Sequence, residues 1–209
     1  MQYAMNQLDS DGVTFETNTH GMYLGNPPLE PLLEELNRRG TPAFVHPTSP
    51  PNHQQVTLDR PRPMLEFTFD SARTVSDLVF SGHLAKSTGI PWVFTHGGGV
   101  LPSLADRMEL FRSVFARDSD PTGTAPPIGP VPEQIGRLRF DIAGTPFPHQ
   151  VPALIAAFGT DRVLYGSDYC FTPASEPRRR SPPSTTRRSR TATPGAHSPR
   201  ATPAASIRV

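Results

Sequence analysis

The run IPWVFTHGGG (residues 90–99) passes from an apolar, β-branched and aromatic stretch directly into a histidine and then glycines. Such a run reads as a short buried strand that the glycines terminate. It leaves a titratable side chain, His96, where the strand stops. The same pattern recurs on either side. TPAFVHP (residues 41–47) is a strand closing on His46 before a proline, and RVLYGSDY (residues 162–169) is a strand closing on Asp168. GVTFETN (residues 12–18) and LRFDIAG (residues 138–144) read as two further short strands. Between them lie amphipathic stretches. LEPLLEELNRRG (residues 29–40) places leucines on one helical face, with Gly40 as its stop signal. ARTVSDLVFSGHLAKSTG (residues 72–89) aligns Val75, Leu78, Val79 and Leu84. LPSLADRMELFRSVFAR (residues 101–117) and VPALIAAFG (residues 151–159) complete the helices. Short apolar strands alternating with helices of this length predict βαβ units, a parallel sheet and an α/β fold.

Composition bounds the rest. With 209 residues the chain can bury one real core, but a full eight-stranded parallel barrel takes about 250 residues. The strands found are too few for such a barrel, and the shortage lies at the start, so the chain reads as an incomplete barrel. Residues 1–11 are set apart as an N-terminal remnant, residues 12–173 as the partial barrel domain, and residues 174–209 as a disordered tail rich in Arg, Pro, Ser and Thr. The net charge of +1 hides a split: residues 176–209 hold eight Arg against one Glu, about +7, which leaves about -6 for the body. An acidic body argues against a nucleic-acid-binding surface. The tail reads as a solvated charge run, and a frame shift in a GC-rich gene would write such text. The single cysteine, Cys170, excludes an internal disulfide framework and fits a reducing compartment, hence the cytoplasm. No apolar run reaches the roughly 20 residues needed to span a bilayer.

In a parallel barrel the C-terminal strand ends form the active site, so His46, His96 and Asp168 are expected to converge. Imidazole and carboxylate are the common zinc ligands, and a catalytic zinc keeps one position open. Each of the three taken singly is an ordinary structural residue. Their common phase after apolar strands is what points to a site.

The order FVHP, THGGGVLP and DRVLYGSDY, together with GVTFETNTHGMYLGNPPLEPLLEELNRRG and EFTFDSARTVSDLVFSG, resembles the amidohydrolase-related family that includes aminocarboxymuconate-semialdehyde decarboxylase. Within it, the text is most similar to members acting on small aromatic acids, such as 6-methylsalicylate and γ-resorcylate decarboxylases. The resemblance covers residues 12–172 and implies roughly strands four to eight of a (β/α)8 barrel. It implies that His46 is a metal ligand, that His96 is the acid/base beside the metal, and that Asp168 binds the metal or its water and shares in catalysis. It further implies a divalent metal, zinc or alternatively manganese, and a small aromatic carboxylic acid as substrate. A metal-dependent hydrolase, or a catalytically silent remnant, is the alternative. A homo-oligomer is compatible with the family; nucleic acid and membrane are not expected partners.

One departure stands out. The family's first-strand His-x-His pair has no counterpart, because none of the seven histidines is two residues from another. His20 and Arg73 are lesser candidates for substrate binding, Arg73 through a bidentate pair with a carboxylate. Glu66 is a further titratable candidate, and Trp92 is expected in the core. His53, His83 and His149 are expected at the surface or in loops.

Overall fold

A computed structural model of the chain describes residues 1–119, 128–145 and 147–171. The elements in order are α1 (Gln2–Gln7), β1 (Val13–Glu16), a small hairpin of β2 (Asn18–Thr19) and β3 (Met22–Tyr23), and α2 (Glu30–Arg39). Then come β4 (Ala43–His46), α3 (His53–Val56), α4 (Arg62–Phe80), α5 (His83–Lys86), β5 (Trp92–Phe94) and α6 (Leu101–Ser119). The series closes with α7 (Val131–Ile135), β6 (Arg139–Asp141), α8 (Gln150–Phe158) and β7 (Val163–Leu164). The expected disordered tail, residues 174–209, lies outside the described residues.

One sheet holds five strands in the order β1-β4-β5-β6-β7, every pair parallel. Each new strand is added on the same side as the last. Because β-crossover-β connections are right-handed, an unreversed order puts every crossover helix on one face. That is the winding of a barrel wall, not of a doubly wound sheet.

The covered face is the core. Ala43, Val45, Trp92, Phe94 and Phe140 from the strands pack with Leu33 and Leu36 of α2, Val75, Leu78 and Val79 of α4, Leu101 of α6 and Leu154 of α8. Full burial of a side chain of this size contributes about 1.5–3 kcal/mol, so this layer carries most of the stability. Register keeps it continuous: Val45 lies beside Phe94, and Phe94 beside Phe140. α2 stops where predicted, at Gly40, whose φ of +65° is the left-handed C-cap.

Two expectations are corrected. The second long helix starts at Arg62, not Ala72, and ends at Phe80. Pro63 in its first turn suits a helix start, and Gly82 at φ +79° separates α4 from α5. His83, expected at the surface, is buried, with its Nδ1 hydrogen-bonded to Ser81 Oγ at 2.9 Å. Among the described residues no helix is long and apolar enough to cross a membrane.

Candidate active site

The open face of the same strands carries the titratable groups. Period-two alternation puts Phe44 and His46 of β4 opposite Ala43 and Val45, so His46 leaves the sheet on the side away from the helices. Pro47 cannot extend the ladder, and the chain turns away there. His46 Nδ1 lies 2.9 Å from the Pro47 carbonyl oxygen. A carbonyl only accepts, so Nδ1 carries the proton, and in the neutral ring Nε2 keeps the lone pair.

His96 follows β5 in the left-handed region, at φ +55°. Non-glycine residues held there cost on the order of 1–3 kcal/mol and persist only when their surroundings over-determine them. The surroundings do so here. Its backbone N–H donates to Asp141 Oδ1 at 3.0 Å, and its Nδ1 donates to the Ala143 carbonyl at 2.8 Å. The same Asp141 oxygen accepts the Ala143 N–H at 3.0 Å. One buried carboxylate at the end of β6 thus ties His96 to the turn that fixes its tautomer. In the neutral ring, Nε2 is again the nitrogen with the lone pair.

Asp168 is also left-handed, at φ +54°. A Cβ placed on Gly144 would stand 3.2 Å from His96 Nδ1 and 3.6 Å from Asp168 Oδ2, so the imidazole and the carboxylate converge over this glycine. The rings of His46 and His96 lie edge to face with centroids 5.3 Å apart. The three strand-end groups are thereby brought together. They line a cleft of about 300 Å³ whose apolar wall includes Phe44, Val93 and Leu164. Thr95 also lines it, buried, and its Oγ1 has no hydrogen-bond partner among the described residues.

The lesser candidates lie elsewhere. His20 is exposed at the tip of the β2–β3 hairpin, at φ +51°. Arg73 pairs with Asp70 at 3.4 Å and lines a different, larger groove of about 740 Å³ with Phe69, Leu104 and Met108. That groove is larger but holds none of the three strand-end groups. Glu66 is buried within α4, and Trp92 is in the core as expected. Sequence reasoning missed Asp141, although it ends its strand just as His46 ends β4, and that phase was the available signal. The three glycines after His96 are explained by close approach. A Cβ on Gly98 would meet Phe140 Cε1 at 2.8 Å, and one on Gly99 would collide with the Thr68 backbone of α4.

An imidazole and a carboxylate, His46 and Asp168, are the side chains here that could serve as metal donors. Among the described residues no three His, Cys, Asp or Glu side chains are grouped so as to hold a metal ion. A catalytic zinc normally has three protein ligands, so the described residues do not form a metal centre by themselves.

Residues 2–182 match the Amidohydrolase family. The chain belongs to that family. A decarboxylase of Penicillium terrestre, macB, is 32% identical over 182 residues, covering 83% of this chain and 52% of the relative. The 6-methylsalicylic acid decarboxylase of Penicillium expansum is 30% identical, covering 83% of this chain and 52% of that protein. The chain spans about half the length of the curated relatives it matches. Among solved structures, an amidohydrolase II crystal structure superposes with a TM-score of 0.70 at 30% identity, covering 85% of this chain and 55% of the other. The 5-carboxyvanillate decarboxylase of Novosphingobium aromaticivorans, solved with manganese, superposes with a TM-score of 0.73 at 19% identity, covering 85% of this chain and 52% of the other. At that identity it speaks for the fold alone, which is the amidohydrolase α/β barrel in part.

Proposed function

We propose that this amidohydrolase chain acts on a small aromatic carboxylic acid as a carboxy-lyase, with His96 as its proton carrier. The observation that carries the reading is the convergence of His96 and Asp168 over Gly144, edge-on to His46, beside an apolar wall. The decarboxylase relatives support the reaction, and the 6-methylsalicylic acid decarboxylase among them the substrate class. Phe44, Val93 and Leu164 would take the ring, and Thr95 Oγ1 and Ser167, which also lines the cleft, would meet its polar substituents. Decarboxylation of an aromatic acid needs a proton on the carbon that loses the carboxylate. Protonated His96 would give that proton from Nε2 as the ring–carboxylate bond breaks, carbon dioxide leaves, and the bonding pair returns to the ring. The Ala143 carbonyl holds the imidazole in orientation throughout. Asp168 would stabilise the charged imidazole. Zinc, whose usual ligands include imidazole and carboxylate, is the first candidate, with manganese as the alternative, and His46 and Asp168 are the donors either would use. They would need a further ligand from outside the described residues. Neither nucleic acid nor membrane enters this reading, the cytoplasm is the compartment the lone cysteine fits, and self-association is compatible with it.

The test is turnover of 6-methylsalicylate and related hydroxybenzoates by the purified chain, with zinc or manganese added, read as carbon dioxide release. Turnover that falls by about 100-fold or more in His96→Asn is the expected outcome. No turnover by the wild-type chain with either metal would overturn the reading for this chain.

A further inference from the structure

Among the described residues, one heavily used buried carboxylate lies away from the strand ends. Asp70, in the middle of α4, is fully buried. Its Oδ2 accepts from Thr17 Oγ1 at 2.5 Å and from Asn18 Nδ2 at 2.8 Å, and its Oδ1 accepts from the Tyr23 hydroxyl at 2.6 Å. These partners do not stop at Asp70. Thr17 Oγ1 accepts the Thr48 N–H at 2.9 Å, Asn18 Nδ2 also donates to the Ser49 carbonyl at 3.1 Å, and the Thr17 N–H donates to the His46 carbonyl at 3.0 Å. A Cβ on Gly21 would meet Pro51 Cγ at 2.9 Å, so the hairpin also packs tightly on the same loop. The segment immediately after His46 therefore rests on Asp70 through two side chains, and the Pro47 carbonyl that takes His46 Nδ1–H lies inside that segment.

We infer that Asp70 is a positioning residue for His46, acting through Thr17 and Asn18 on residues 46–49 to hold the imidazole with its proton on Nδ1 and its lone pair on Nε2. Outer hydrogen bonds of this kind choose the tautomer and orientation of a functional histidine. The inference rests on the reading of His46 as a site residue. His96 provides an internal control, because its own tautomer is set by Ala143 and Asp141 on the other side of the cleft.

The experiment is 15N NMR of the histidine rings in the whole chain at pH 8.5, where an imidazole of ordinary pKa is neutral. His46 is assigned by the signal lost in His46→Gln. The wild-type chain is expected to show His46 with a protonated Nδ1. Asp70→Leu removes both acceptor oxygens and Thr17→Val removes one buried hydroxyl; each is expected to move His46 toward the Nε2–H form that free histidine prefers, with His96 unchanged. Asp70→Asn keeps an oxygen toward Thr17 and Asn18 and can donate to the Tyr23 oxygen, so it retains the wild-type signal. Tyr23→Phe, off the route to His46, also leaves it in place. An Nε2–H ring in the wild-type chain would overturn the inference, as would an Nδ1–H ring in folded Thr17→Val. A shift in Thr17→Val but not in folded Asp70→Leu would remove Asp70 from the route. Should Asp70→Leu fail to fold, Asp70→Ala takes its place with the same expected shift and the same overturning outcome. The readout needs neither metal nor substrate, so its failure is separate from failure of the decarboxylase assay.

Discussion

The two faces of the five-stranded sheet are built from the same short strands and do opposite work. On the helix-covered face, Val45, Phe94 and Phe140 are fully buried and interlock with four helices. On the other face, Phe44 and Leu164 are each 38% exposed, and the polar groups His46, His96 and Asp168 gather at the strand ends. One face stores stability and the other gathers the titratable groups. A period of two in the backbone lets a strand do both without compromise.

Equilibrium denaturation gives the sharpest way to break this comparison. Phe94→Ala is expected to cost about 3–5 kcal/mol, whereas Phe44→Ala, on the open face, is expected to cost under about 1 kcal/mol. Equal losses would mean that the open face is packed in solution and that the two faces are not distinct. A smaller effect sharpens how the helices reach the strand ends. Gly98→Ala would force a methyl into Phe140 at a backbone φ of +68° and is expected to cost about 1–3 kcal/mol. A neutral result would show that the His96 turn is looser than its contacts require.

The next effect lies at the β2–β3 hairpin and depends on pH. Burial, reinforced by the Asp70 carboxylate, pushes the Tyr23 phenol well above its ordinary 10.0. A folded-state pKa raised in this way contributes stability that is complete below pH 10 and is lost as pH rises toward the folded value. Tyr23→Phe is therefore expected to flatten the alkaline fall in stability, while the parent chain loses stability above pH 10. The smallest effect is on the outer surface of the covered side. Arg38 and Arg39 hold the Glu35 carboxyl down at about 2. Its contribution is present above the ordinary value of 4.5 and is lost as pH falls through about 2. Glu35→Gln should thus produce a loss in melting temperature at neutral pH that fades as Glu35 protonates near pH 2, and a slight one because solvent reaches the cluster.

Much of the covered face was legible in the sequence. The leucine stripe of residues 29–40 and the apolar strands are local patterns and appear where those patterns place them, except that the last strand, expected over residues 162–169, is only Val163–Leu164, with Asp168 in the loop beyond it. The start of α4 was not legible. Its first half, RPMLEFTFDS (residues 62–71), mixes aromatic and β-branched residues with Glu66 and Asp70, both buried in the fold, so no clean apolar stripe marks it. Its helical state rests on tertiary partners, chiefly the Thr17, Asn18 and Tyr23 contacts to Asp70. His83 was misplaced for a related reason: the left-handed Gly82 just before it and a hydrogen bond between its Nδ1 and the Ser81 hydroxyl accompany its burial.

Sequence alone determined the alternation of strands and helices, the parallel class of the sheet, and the set of strand ends that carry His46, His96 and Asp168. Those features repeat every two or every 3.6 residues and depend only on near neighbours. Tertiary structure decided which of these groups meet, which ring nitrogen of His46 and of His96 holds its proton, and that Arg73 turns to another groove. Asp141 grips His96 across 45 residues and Asp70 reaches Thr17 across 53. Separations of that size are closed only by the right-handed crossovers that wind the strands in order, and no local pattern encodes the distance at their ends.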